Sequence, residues 1–135
     1  MVLKIMSEIR LIIAGTRDFN CYDIAKSEAA SFVQELKEQS KGCPVTIVSG
    51  GARGTDLLGE RFAKECGFKL MRFPADWKVY GKQAGPVRNR QMLNYAKEEQ
   101  GALLAFWDGK SRGTKNMIDI AKDAGIIVKV VSITT

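Results

Sequence analysis

The sequence predicts a three-layer α/β protein, in which a doubly wound, mostly parallel five-stranded sheet carries helices on both faces. Apolar runs alternate with amphipathic segments along the whole chain, and the connections between them are short. Such a series is typical of parallel strands joined by helical crossovers. Glycine, hydroxyl and arginine residues follow the first, second and fourth apolar runs, as at the ligand-binding edge of a doubly wound sheet. We therefore expect the strand order 3-2-1-4-5, in which the winding reverses between strands 1 and 4.

The first half of the chain predicts three strands and two helices. Residues 9–14 are a nearly continuous apolar run, as expected for a strand that is covered on both faces. Residues 23–39 place apolar side chains at helical spacing, which predicts an amphipathic helix. Residues 45–48 form the second apolar run, and residues 57–66 predict the second helix. Residues 68–73 predict the third strand.

The second half of the chain continues this alternation. Residues 74–85 are predicted to form a loop, and Pro86 suits the first turn of a helix that runs to about residue 100. Residues 102–107 and 126–131 predict the fourth and fifth strands, on either side of a helix over residues 113–124.

Composition excludes several kinds of chemistry. The chain contains no histidine, which excludes Ser-His-Asp and Cys-His catalysis and imidazole metal ligands. The three cysteines form no Cys-x-x-Cys pair, which argues against a disulfide framework and a structural zinc site. We therefore expect no metal and no required cofactor. Because no linker or repeat interrupts the series, residues 1–135 are expected to form a single domain.

The net charge of +6 favours an anionic partner. Many of the basic residues fall in or beside predicted loops rather than on helix faces, which favours one anionic pocket over an extended nucleic-acid surface; nucleic acid stays open as the less favoured partner. No run is long enough to cross a membrane, and residues 1–6 are too short for a secretory signal. We expect a cytoplasmic protein with no membrane partner. The sequence is compatible with both a monomer and a homo-oligomer.

The most informative segment is the glycine-rich connection between the second strand and the second helix, residues 49–56. Bare backbone N–H groups and a helix N-terminus meet there, and both attract anions. The spacing matches neither the P-loop nor the Gly-x-Gly-x-x-Gly fingerprint. A tight turn is the alternative interpretation. Asp56 is expected either to cap the helix or to bind ribose hydroxyls. The predicted ligand contacts are Ser49, Gly50, Gly51, Arg53, Gly54, Thr55 and Asp56.

Two further segments are expected at the same edge of the sheet. One opens the helix after the fourth strand, either as a second phosphate-binding helix start or as a simple N-cap. The other directly follows the first strand, where Arg17 is expected to contact phosphate or to pair with Asp18 or Asp56. The predicted ligand contacts are Ser111, Arg112, Gly113 and Thr114 in the first segment, and Gly15, Thr16 and Arg17 in the second.

The loop before the third long helix contributes an aromatic residue and two arginines. Trp77 is expected either to stack on a nucleotide base or to cover the edge of the sheet. Arg88 and Arg90 lie near the start of that helix and are both candidate ligand contacts. Because residues two apart do not share a helix face, we expect only one of them to reach the crevice.

Taken in order, these motifs resemble the SLOG superfamily, the Rossmann-like group that contains DprA/Smf and the LOG phosphoribohydrolases, and most closely its YspA/YpsA-related branch of small single-domain proteins. The segments that show this resemblance are residues 15–19, 49–56, 73–77, 85–92 and 107–114. The resemblance implies binding of nucleotides or nucleotide-derived ligands such as ADP-ribose. It leaves enzymatic activity open, because the position of the LOG glutamate falls on Met117, which cannot act as an acid or base. Asp56, Asp108 and Arg88 are the remaining candidate catalytic residues.

The sequence thus predicts a protein that binds a nucleotide or nucleotide-derived phosphorylated small molecule, either ADP-ribose-like or NAD-like or a nucleoside phosphate, at its glycine-rich loops. Binding without turnover would suit a sensor or a sequestering protein. The alternatives are a LOG-like hydrolase of nucleoside-phosphate N-glycosidic bonds that uses a different carboxylate, and a DprA-like binder of single-stranded DNA.

Overall fold

The computed structural model describes residues 7–134 and arranges five strands in one sheet of order β3-β2-β1-β4-β5. Each neighbouring pair in this sheet is parallel, so the predicted fold class and strand order are confirmed. Residues 1–6, to which the prediction about a secretory signal refers, lie outside the described residues. The strands are β1 (Ile9–Gly15), β2 (Val45–Ser49), β3 (Lys69–Arg72), β4 (Gln100–Trp107) and β5 (Ile127–Ser132).

The helices cover both faces of the sheet. Side chains of β1 alternate between the two faces, so Leu11 and Ile13 belong to one buried cluster and Ile12 and Ala14 to the other. Helices α1 and α2 pack on the first cluster, and α4 and α5 pack on the second. The helices are α1 (Tyr22–Gln39), α2 (Thr55–Cys66), α3 (Trp77–Tyr80), α4 (Ala84–Ala96) and α5 (Arg112–Asp123).

Two local predictions are wrong. The segment predicted as a loop over residues 74–85 contains the short helix α3 and a 3₁₀ turn (Gly81–Gln83). Helix α3 forms because the Asp76 carboxylate accepts a hydrogen bond of 3.1 Å from the N–H of Val79. Helix α4 ends at Ala96 instead of continuing to about residue 100, because β4 already begins at Gln100 and pairs with β1.

The carboxyl ends of β1, β2 and β4 meet at one edge of the sheet, where the winding reverses between β1 and β4. Gly15 ends β1 beside Phe106 of β4, and the N–H of Thr16 donates to the Phe106 carbonyl at 2.9 Å. A Cβ on residue 15 would lie 2.3 Å from that carbonyl oxygen, so the close approach requires glycine. Among residues 7–134, no helix has the length and apolar character needed to span a membrane.

Candidate functional site

The three predicted loops and the start of α4 surround one crevice of about 540 Å³ at the reversal point of the sheet. A second cavity of about 350 Å³ adjoins it and shares Arg17, Arg53, Trp77 and Arg88 as a common wall. Gly50 and Gly51 line the second cavity. The other predicted site residues that line the main crevice are Gly15, Thr16, Asp56, Asp108, Ser111, Gly113 and Thr114.

Three predicted contact residues line neither cavity and instead hold the loops in position. The Ser49 hydroxyl is fully buried, donates to Glu60 Oε2 at 2.7 Å and accepts from the N–H of Gly51 at 3.0 Å. The Thr55 hydroxyl donates to the Thr16 carbonyl at 2.9 Å. Gly54 has a φ of +79°, and a Cβ there would lie 2.2 Å from the carbonyl oxygen of Arg17.

The two remaining predicted contacts lie apart from the crevice lining. Arg90 is exposed and borders a separate groove between α4 and α5, beside Val87 and Ile120. Of Arg88 and Arg90, only Arg88 lines the crevice, as expected for residues two apart on a helix. Arg90 lies on a different side of α4. Arg112 is exposed at the first turn of α5.

Asp56 closes the glycine-rich loop instead of capping α2. Its Oδ2 atom accepts a hydrogen bond of 3.1 Å from the N–H of Ala52, whereas the N-cap residue of α2 is Gly54, which has no side chain to form a cap. Burial raises the pKa of the Asp56 carboxyl to about 6, and the nearby Glu60 acts in the same direction. The Ala52 N–H and the charges of Arg88 and Arg17 lower this pKa and offset part of the rise.

Arg88 connects α4 to the glycine-rich loop. Its Nη1 atom donates to the carbonyl of Gly50 at 2.7 Å, and its Nε atom donates to Asn89 Oδ1 at 3.1 Å. Partial burial lowers the pKa of the guanidinium, and the opposite charge of Asp56 counteracts this effect. The side chain is therefore held in place at the wall between the two cavities.

The start of α5 is built by Asp108 and Ser111. The Asp108 carboxylate accepts from the N–H groups of Ser111 at 2.9 Å and Lys110 at 2.8 Å, and these bonds hold its pKa below the usual range. Ser111 is the N-cap, and its hydroxyl accepts from the N–H of Thr114 at 3.4 Å. Ser111 therefore caps α5. The N–H groups of Arg112 and Gly113 lie in the same first turn, where a helix has no acceptor of its own to offer.

Two buried polar residues support the site in roles that sequence reasoning did not predict. Asn89 donates from Nδ2 to the Gly113 carbonyl at 3.2 Å and to Asn116 Oδ1 at 2.9 Å, which ties α4 to the start of α5. Glu60 lies under the glycine-rich loop and accepts from both Ser49 and Arg72. Glu60 follows Asp56 by four residues and therefore lies on the same, inner face of α2. An acidic residue at that spacing could have indicated a buried polar contact beneath the loop.

The crevice carries a net positive charge. Five cationic side chains and three carboxyl groups line it, and Arg53 and Asp18 form an exposed ion pair of 3.5 Å. Within residues 7–134, no cluster of three or more cysteine, aspartate or glutamate residues could hold a metal ion. Met117 lies at the crevice with only 1% of its surface exposed, so the position of the LOG glutamate is occupied by an apolar side chain in the core. The five cationic side chains of the crevice are those of Arg17, Arg53, Lys82, Arg88 and Lys110.

Comparison with known proteins gives two matches. The model of the YspA, cpYpsA-related SLOG family matches residues 9–80, which include β1, the glycine-rich loop and α3. The "Gene 61 protein" of Mycobacterium phage D29 is 37% identical over 89 residues, covering 62% of this chain and 69% of that protein. No solved structure matches this chain.

Proposed function

This chain belongs to the YspA, cpYpsA-related SLOG family, and we propose that it binds a nucleotide or nucleotide-derived phosphorylated small molecule in the crevice at the reversal point of its sheet. The ligand is an ADP-ribose-like or NAD-like compound or a nucleoside phosphate. Binding without turnover makes the protein a sensor or a sequestering protein, and we propose that it acts in the cytoplasm.

This proposal is supported by one observation above all. The starts of α2 and α5 border the same crevice as the wall formed by Arg17, Arg53 and Arg88. Backbone N–H groups at a helix start attract phosphate through hydrogen bonds and through the helix dipole. Gly113 has open space where a Cβ would stand, so an anion can approach the backbone at the start of α5. In the glycine-rich loop, the N–H groups of Gly51 and Ala52 already donate to Ser49 and Asp56. Arg17 and Arg88 supply positive charge between the two helix starts. Five cationic groups against three carboxyls leave the crevice attractive to a polyanion.

Isothermal titration with AMP and with ADP-ribose tests the proposal. We expect saturable binding to the wild-type protein and at least about a tenfold loss of affinity in Arg17→Ala, which corresponds to about one charge-assisted hydrogen bond. Lys122→Ala is the matched control, because it removes one positive charge from an exposed position that does not line the crevice. Absence of heat with both compounds contradicts the proposal, as does equal loss in the two variants.

Titration with single-stranded oligonucleotides of different lengths distinguishes this function from DNA binding. A closed crevice predicts affinity that is independent of strand length, whereas a backbone-tracking surface gives tighter binding with length and a steep dependence on salt. Tighter binding of a single-stranded oligonucleotide than of any mononucleotide, with that salt dependence, favours the DprA-like alternative.

Asp56 supports a second candidate function, hydrolysis of the N-glycosidic bond of a nucleoside phosphate. A carboxyl with a pKa of about 6 is partly protonated near neutral pH and can donate a proton to a leaving base. Asp108 is a poorer donor, because its carboxylate is held ionised by two backbone N–H groups. Chromatographic detection of adenine released from AMP tests this function. Release must be lost in Asp56→Asn and kept in Asp108→Asn.

A further inference from the structure

We propose that residues 74–83 form a lid, which closes over the mouth of the crevice when a ligand is bound and covers the ligand with Trp77 and Tyr80. This inference rests on the proposed function and adds a conformational change to it. Three features of the lid segment, residues 74–83, support it: its exposure, its local hydrogen bonds and the apolar side chains of α3.

The lid segment borders both cavities, although none of its residues is buried. Trp77 lines both cavities, and Lys82 lines the main crevice. Pro74 and Ala75 line the second cavity. A movement of this segment alone would therefore change the access of solvent and ligand to the whole site.

The lid segment is anchored at its ends and held only locally between them. The N–H of Phe73, directly before it, donates to the Ser49 carbonyl at 2.8 Å, and Ala84, directly after it, is fully buried. Within it, the carbonyl of Asp76 accepts from the N–H of Tyr80 at 3.0 Å. Among residues 7–134, no side chain of the lid segment forms an ion pair or a hydrogen bond with a residue outside it. Segments with so few buried contacts open at a low cost in free energy.

Gly81 gives the lid segment a suitable hinge at its C-terminal end. Its φ is +56°, and no atom lies within 4 Å of the position that a Cβ would take. The backbone can therefore rotate at residue 81 without meeting a packed neighbour, as hinges require.

Helix α3 carries large apolar side chains that are exposed. Trp77 is 53% exposed, Tyr80 44% and Val79 68%. A helix of four residues is too short to be stable by itself, and these exposed side chains add little to its stability where it stands. Residues three apart share one side of a helix, so a movement that presses Trp77 onto a ligand also buries Tyr80, whereas Val79 lies on the side opposite Trp77.

Closure depends on the ligand because of the charges in the crevice. Arg17, Asp108 and other charged groups line it, and aromatic rings alone would remove these groups from water without compensation. A bound phosphate compound compensates the cationic groups and offers a base on which Trp77 can stack. Burial of Trp77 and Tyr80 then gains hydrophobic free energy. The ligand thus favours the closed state over the open one, as a ligand-dependent movement requires.

Limited digestion with trypsin measures the access to the lid segment. Lys78 is exposed and lines neither cavity, so a ligand in a rigid site leaves the peptide bond after it equally accessible. Closure predicts that saturating AMP or ADP-ribose, whichever binds more tightly, slows cleavage there by about tenfold or more, since the protease cuts the open state. Lys41 is the internal control, because it is exposed in the turn before β2, at the opposite edge of the sheet, and its cleavage must not change.

The variants Tyr80→Ala and Val79→Ala separate closure from direct contact. Neither residue lines a cavity, so a rigid site predicts wild-type affinity in both variants. Closure predicts that Tyr80→Ala weakens binding by about fivefold or more, because the closed lid buries this ring, and that Val79→Ala does not. Titration calorimetry with the same compound measures both affinities.

The outcomes distinguish a failure of the lid from a failure of the proposed function. If neither AMP nor ADP-ribose binds, both proposals are wrong. If one binds but cleavage after Lys78 is unchanged, or Tyr80→Ala binds as tightly as Val79→Ala, the lid is wrong and ligand binding stands. If cleavage after Lys78 slows with rising protein concentration and no added ligand, a second copy of the chain covers α3 and the lid is wrong. The digestion uses the wild-type protein, so a misfolded Tyr80→Ala does not prevent the decision.

Discussion

The Nη1 atom of Arg88 lies 2.7 Å from the carbonyl oxygen of Gly50, and this hydrogen bond joins α4 on one face of the sheet to the loop that leads to α2 on the other. A Cβ on residue 50 would lie 2.3 Å from the same Nη1 atom and 2.9 Å from Oδ2 of Asp56. The positions of the guanidinium and of the buried carboxyl therefore both depend on the absence of a side chain at residue 50.

Gly50→Ala is expected to weaken ligand binding in a protein that still folds. The added methyl group must displace the end of the Arg88 side chain, which is flexible enough to move without disturbing the backbone. Loss of the positioned guanidinium predicts a decrease in ADP-ribose affinity of about tenfold or more. Titration calorimetry measures this effect, and thermal unfolding verifies that the variant is folded. Wild-type affinity in Gly50→Ala would show that Gly50 does not set the position of Arg88.

Much of the fold follows from the sequence, because the strands of a doubly wound sheet are nearly continuous apolar runs between amphipathic helices. The loops could be placed at one edge for the same reason. The sequence could not show that Asp56 bonds to the Ala52 N–H and leaves α2 uncapped, since a cap and a loop closure use the same residue type. Nor could it separate the lining residue Arg88 from Arg90, because the rotation of α4 depends on packing against the sheet.

Gly54→Ala is expected to cost more stability than Gly51→Ala. Both glycines have positive φ angles, +79° and +72°, which disfavour a side chain, so both variants lose about 1–3 kcal/mol from backbone strain. At residue 54 the new Cβ also meets backbone atoms of Arg17 at 2.2 and 2.5 Å, whereas residue 51 has open space. The overpacking adds about 1–3 kcal/mol to the loss in Gly54→Ala. Urea unfolding measures the difference, and equal losses would contradict it.

The ionisation of Asp56 is expected to make the protein less stable as pH rises. Its folded pKa of about 6 exceeds the ordinary value of 3.8, so its contribution is fully present below about pH 4 and is lost as pH rises through about 6. The loss is on the order of 2–3 kcal/mol. Asp56→Asn keeps an acceptor for the Ala52 N–H but does not titrate.

The free energy of unfolding of Asp56→Asn, minus that of the wild type, must therefore increase between about pH 4 and about pH 7.5. Urea unfolding at both pH values measures the change. Taking the difference removes the contribution of groups that titrate alike in both proteins, such as Glu8 and Asp108. A difference that is independent of pH would contradict a raised pKa for Asp56.

The pair of Glu60 and Arg72 is expected to stabilise the fold beneath the glycine-rich loop. Only 6% of the Glu60 side chain is exposed, and its Oε1 atom accepts from Arg72 Nε at 2.9 Å and Nη2 at 2.6 Å. Arg72→Ala leaves this buried carboxylate with less compensation and costs about 1–3 kcal/mol. Lys115→Ala is the control, because it breaks an exposed pair with Asp119 that contributes about 0.5 kcal/mol or less.

Addition of Glu60→Gln to Arg72→Ala is expected to recover part of that loss, since the double variant no longer buries an unpaired charge. Denaturant unfolding of the two single variants and the double variant gives the coupling energy. If Arg72→Ala loses no more stability than Lys115→Ala, the buried pair does not support the loop.

Trp77→Ala is expected to separate ligand binding from stability. The indole is 53% exposed and therefore does not cover the edge of the sheet, and it lies at the wall between the two cavities. Stacking of a base on an aromatic ring contributes about 1–3 kcal/mol, so the affinity for ADP-ribose should fall by about 5- to 150-fold. Thermal unfolding should show that the variant still folds, because Trp77 belongs to neither of the two buried core clusters. Val79→Ala provides the comparison on the same short helix, since Val79 is 68% exposed and lines neither cavity. Equal affinity in the two variants would show that Trp77 does not contact the base.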